Sequence, residues 1–91
     1  MAGGIPRIVA PVSGTLIALD PDIPAPLQRI VFEAQAGGEP LRWALDGADL
    51  GPAGNPVLWK PVPGRHRLSL VDETRRPHAT VQFTVRGPAV E

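Results

Sequence analysis

The chain has 91 residues, no cysteine, and nine basic against nine acidic residues. That length allows one domain with a modest core, the charge balance supplies no net field to gather nucleic acid or an anionic membrane surface, and the lack of cysteine removes a disulfide framework, a thiolate nucleophile and a zinc-thiolate site together. Twelve prolines and ten glycines interrupt the sequence so often that the longest proline-free stretches are Leu27 to Glu39 and Gly64 to Arg76, which leaves little room for long helices and points to an all-β fold.

Ile5 to Ala10 is short, apolar and β-branched, and its flanking prolines suit a first strand at a sheet edge. After the Ser13-Gly14 turn, Thr15 to Leu19 reads as a return strand. Asp20 to Pro26 carries three prolines, which fix φ and withhold amide donors, so an extended surface loop is expected. Leu27 to Ala36 fits both strand and helix periods, and the β-favouring Ile30-Val31-Phe32 run with Gly37-Gly38 close behind decides for a strand.

Leu41, Trp43 and Leu45 share one face of the next strand, and Asp46-Gly47 supplies the positive φ angles of a tight hairpin turn. Gly51 to Pro56 is a loop by composition, and Val57 to Lys60 is a short strand ended by Pro61. Val62-Pro63-Gly64-Arg65 places proline and glycine where a type II turn needs them, so the chain is expected to reverse there. His66, Leu68 and Leu70 alternate with Arg67, Ser69 and Val71, and Val81, Phe83 and Val85 alternate with Thr80, Gln82 and Thr84, giving two strands joined by the polar loop Asp72 to His78. About seven antiparallel strands at this spacing predict an immunoglobulin-like β-sandwich, one domain over residues 1–91, with residues 1–4 disordered or cloning-derived and residues 87–91 a tail. Its expected core is Ile30, Phe32, Trp43, Leu45, Leu68, Leu70, Val81, Phe83 and Val85.

Ser69, His66, His78 and Asp72 fall within one hairpin and invite a triad reading, but residues 66 and 69 are an odd number apart and point to opposite faces of a strand. Two histidines without paired spacing do not assemble a metal site, and no cofactor motif is present, so no catalytic, metal or cofactor residue is assigned. Arg65 and Arg67 flank His66, Arg75 and Arg76 sit in the following loop, and Arg86 closes the last strand, expected next to these arginines across the hairpin. Opposite charges interspersed on a sheet face are ordinary, yet guanidinium forks suit carboxylates. Trp59, on a short proline-bounded strand, could offer a half-exposed ring. Trp59, Arg65, Arg67 and Arg86 are therefore the candidate ligand or partner surface.

The run W-x-L-D-G-x-x-L-G from Trp43 to Gly51 leads on to W-x-P at Trp59, P-G-x-H at Pro63 and L-V-D at Leu70. Order and spacing together resemble the C-terminal domain of penicillin-binding proteins of the 1C type, over Leu41 to Val85 and more loosely through the I-x-x-P-x-x-G start at Ile8. Glu73 to His78 departs from it, since the family more often has a short glycine-bearing turn there. The resemblance implies a periplasmic accessory module behind the transglycosylase and transpeptidase domains of a peptidoglycan synthase, with the chain a fragment whose parent is anchored in the inner membrane far upstream. Lys60 is the only lysine, so the family's S-x-x-K and K-T-G motifs cannot exist in this chain. The expected role is non-enzymatic docking or spacing, and the alternative is a peptidoglycan-binding module using Trp59 as a stacking platform. Expected partners are the upstream domains of the same synthase, another periplasmic protein (a bacterial α2-macroglobulin, by association within the family) or peptidoglycan. No nucleic acid and no membrane contact by this chain are expected.

Overall fold

The computed structural model describes residues 5–24, 27–35 and 40–87. The expectations for residues 1–4 and 88–91, for Ala25-Pro26 in the proline loop and for the end of the third strand at Ala36 to Gly38 fall outside the described residues. Within them the protein is all β, with eight strands in two sheets. They are β1 (Arg7–Ala10), β2 (Leu16–Ala18), β3 (Ile30–Gln35), β4 (Arg42–Leu45), β5 (Ala48–Pro52), β6 (Val57–Trp59), β7 (Gly64–Val71) and β8 (Pro77–Arg86). One sheet has the order β1-β3-β6 and the other β2-β8-β7-β4-β5.

The chain passes from one sheet to the other at every connection except the β4–β5 and β7–β8 hairpins. Two expectations change as a result. Thr15 to Leu19 does not return along the first strand: β1 pairs with β3, while β2 pairs in parallel with β8, Leu16 opposite Thr84. The Pro63-Gly64 step is likewise no hairpin turn. Gly64, at φ 128°, begins β7 in the sheet opposite β6, so proline and glycine serve a bend that crosses the sandwich. The additional strand is β5, whose Gly51 and Pro52 lie in the stretch expected to be loop; Pro52 is tolerated because β5 is an edge strand with β4 as its only neighbour.

Alternation puts the apolar sides of both sheets inward. Phe32, Trp43, Leu45, Leu68, Leu70, Phe83 and Val85 are buried together with Leu41 and Ala53, while Ile30 and Val81 pack partly buried against them. Phe32 joins the sheets at the centre, its ring 5.9 Å from Trp43, 5.9 Å from Phe83 and 5.3 Å from Trp59. Such ring pairs add about 0.5–1.5 kcal/mol each beyond the area they bury. The buried Trp43 indole Nε1 has no hydrogen-bond partner among the described residues. All four sheet edges, β1, β2, β5 and β6, are no more than five residues long, which limits edge-to-edge pairing.

Candidate functional site

The β4–β5 hairpin turns on Asp46 at φ 51° and Gly47 at φ 89°, the paired left-handed angles of a two-residue type I′ turn. This geometry carries the Asp46 carboxylate back over β7. Its Oδ1 accepts from the Arg67 amide at 2.8 Å, and its Oδ2 lies 2.7 Å from Nδ1 of His66. On the other side of that ring, Nε2 of His66 meets the Val62 carbonyl at 2.6 Å, next to the sheet-crossing bend. The imidazole itself is edge-on to Trp59, centroids 4.9 Å apart, and tilted against Phe83 at 5.4 Å. Desolvation alone would raise the Asp46 carboxyl, but the hydrogen bonds from His66 and the Arg67 amide outweigh it and hold the group below the ordinary aspartate range.

His66 thus gathers the L-D-G turn, the P-G bend and the W-x-P strand at one point. Three of the pieces of sequence on which the family resemblance rests meet physically, and what they build is a packed junction with both ring nitrogens engaged. The other candidates for chemistry form separate pairs. The Ser69 hydroxyl lies 3.0 Å from that of Thr80, and Nε2 of His78 lies 2.9 Å from Oδ2 of Asp72. Asp72 also accepts from the Thr74 hydroxyl and from the Thr74 and Arg76 amides; the Thr74 hydroxyl, then His78, lower its carboxyl most. No serine touches a histidine among these contacts.

The four residues assigned to one ligand surface are divided by the five-stranded sheet. Trp59 is half-buried inside the sandwich, stacked on Phe32 with 25° between the ring planes and edge-on to Phe83 at 5.8 Å. Arg65 and Arg67 are exposed on the outer face of β7, opposite Thr84 and Gln82 of β8. Arg86 is exposed beyond them, paired with Ala18. It lies at the Arg65 end of the β7–β8 hairpin, where Gly64 is opposite Val85, and at the far end of β8 from the loop that carries Arg75 and Arg76. Arg75, at φ 69°, instead folds over the outer face and donates to the Gly47 carbonyl at 2.9 Å.

On that outer face lies an open groove of about 750 Å³ between the loop leading into β2 and the Asp46-Gly47 turn, with Arg65, Arg67, Gln82 and Thr84 on its floor. Among the described residues no group of three or more His, Cys, Asp or Glu side chains could hold a metal ion. Among the described residues no helix is long and apolar enough to cross a membrane. Sequence reasoning named Arg65 and Arg67 but not the groove, because its walls come from turns distant in sequence. It missed Asp46 as the partner of His66 for the same reason, although the cross-strand proximity follows once β4 is paired with β7.

Comparison with known proteins returns the Penicillin-Binding Protein C-terminus Family, whose model matches residues 1–83. Among solved structures the chain is similar to a module described under "Structures of Clostridium thermocellum CbhA fibronectin(III)-like modules". The two share 20% identity and a TM-score of 0.64, over 92% of this chain and 99% of that one. At that identity the likeness bears on the fold alone, a fibronectin III-like β-sandwich. None of the curated proteins matches the chain.

Proposed function

The chain belongs to the penicillin-binding protein C-terminus family, and from that premise we propose that it is a non-catalytic accessory domain of a peptidoglycan synthase, positioned in the periplasm and acting by docking to another protein or by spacing the domains before it. The observation that carries this reading is the His66 junction. The side chains most capable of chemistry are engaged in holding turns and bends to the core, at hydrogen-bond distances of 2.6 to 2.8 Å, and the groove outside them presents binding groups rather than a nucleophile with its base. Wall binding through Trp59 is the weaker reading, because that ring is stacked on Phe32 and turned away from the arginines.

The test is a synthase truncated before this domain. Glycan polymerisation and peptide cross-linking by the purified truncated enzyme should stay within about twofold of the whole protein, since no interaction with the reacting groups is removed. Recovery of the synthase in complex with its partners from cross-linked cells should fall. A truncated enzyme that is inactive in purified form, or complexes unchanged by the truncation, would each refute the docking role.

A further inference from the structure

The arginines of this protein are not alike. Arg42 forms a two-pronged fork on Asp49, at 3.0 and 2.7 Å, which holds the Asp49 carboxyl down at about 2. Arg75 is committed to the Gly47 carbonyl. Arg65 and Arg67 point into the outer groove, and neither guanidinium has a hydrogen-bond partner among the described residues. Asp46 has one carboxylate oxygen on the Arg67 amide and the other on His66, so Arg67 feels its charge without forming a fork.

The register sets what can meet them. Arg65 stands opposite Thr84, which stands beside Leu16 of β2, and Leu16 is 55% exposed. Arg67 stands opposite Gln82 one step along. The floor is therefore two arginine side chains on one face of a strand, attached two residues or about 7 Å apart along the backbone, with hydroxyl and amide groups beside them and an apolar side chain at the edge.

We propose that this groove binds an extended acidic segment of a partner protein, whose carboxylates at alternate positions meet Arg65 and Arg67 and whose neighbouring apolar residue rests on Leu16. Alternate residues of an extended chain share a face at that same spacing of about 7 Å, and planar guanidinium groups take carboxylates in two-pronged fashion. The protein as a whole is neutral, so the attraction is local to this face. The inference rests on the docking reading and names its surface.

The capped peptide Asp-Ala-Asp-Leu, titrated into the isotope-labelled 91-residue chain and followed by amide NMR, tests it. Shifts should centre on Gly14, Gly47, Gln82 and Thr84. They should weaken as salt rises from about 0.01 to about 1 M, where the screening length contracts from ~30 to ~3 Å. Replacing both arginines, Arg65→Gln with Arg67→Gln, should weaken binding by about tenfold or more while leaving the thermal midpoint unchanged, since both side chains are exposed. Equal shifts with Asn-Ala-Asn-Leu, or with the respaced Asp-Ala-Ala-Asp-Leu, would overturn the proposal, as would a double variant that binds normally. Arginine-dependent binding of soluble wall stem peptides without binding of the acidic peptide would also overturn it and assign the groove to peptidoglycan. In the full synthase, complexes lost on truncation but kept in the double variant would refute the groove and leave the docking reading standing; complexes kept in both would refute the docking reading itself.

Discussion

Two aspartate–histidine pairs of nearly equal length occupy different roles. His66 and Asp46, 2.7 Å apart, are 20 residues apart in sequence and tie the β4–β5 turn, the sheet-crossing bend and the aromatic core to one another. His78 and Asp72, 2.9 Å apart, are six residues apart, and Asp72 gives its remaining hydrogen bonds to the Thr74 and Arg76 amides and the Thr74 hydroxyl of its own loop. The histidine side chain is 9% exposed in the first pair and 25% in the second. Distance alone does not rank such contacts. Removing one partner costs more where the other loses a buried environment it cannot replace with water.

The contrast is broken most sharply by His66→Ala. It removes two ring contacts and leaves the Val62 carbonyl and Asp46 without the ring that lies between them, so unfolding in urea should show a loss of about 2–4 kcal/mol. His78→Ala, at the loop, should cost under about 1 kcal/mol in the same assay. Next in size is Gly47→Ala. A methyl there meets nothing within 4 Å, but φ is 89°, so the expected loss of about 1 kcal/mol comes from backbone conformation alone. A loss near zero would mean that the turn relaxes without cost.

Asp46→Asn keeps the turn's left-handed angle accessible but removes the charge and one of the two acceptor oxygens that meet His66 and the Arg67 amide. About half of the side chain is exposed, so screening limits the expected loss to about 1 kcal/mol. Acid sharpens the same comparison. Asp46, Asp49 and Asp72 all have carboxyls held below their ordinary value in the folded protein, so the stability they contribute is complete above the unfolded aspartate pKa of about 4 and is lost as pH falls through the lower folded values. The urea midpoint should decline below about pH 4. Asp46→Asn should make that decline shallower, and a midpoint that rises as pH falls below about 4 would contradict the assignment.

Much of the fold was legible because it is local. Alternation in His66 to Leu70 and in Val81 to Val85 identifies the inward faces, and Asp46-Gly47 specifies the turn between β4 and β5. The assignment of strands to sheets was not legible. β1 and β2 are short and separated by a turn, which reads as a hairpin, yet each gains more by covering a different side of the core, Ile8 from one sheet and Ile17 from the other. Trp59 was half legible: its strand position was evident, but which way its ring faced depended on Phe32, in another strand. The two groove arginines were visible as residues, and only the pairing of β7 with β8 and the fold of the Asp46 turn made them a surface.

The parallel pairing of β2 with β8 has a mechanical consequence. Leu16 to Ala18 run alongside Thr84 to Arg86, and the ladder is lengthened by bonds from Gly14 to Gln82, from Thr84 to Thr15 and from Leu19 to Arg86. Tension entering ahead of β2 and leaving behind β8 pulls these two strands in opposite directions along their own axes. Their hydrogen bonds are then loaded in shear, all at once, whereas an antiparallel hairpin pulled at its open end yields one bond after another like a zip.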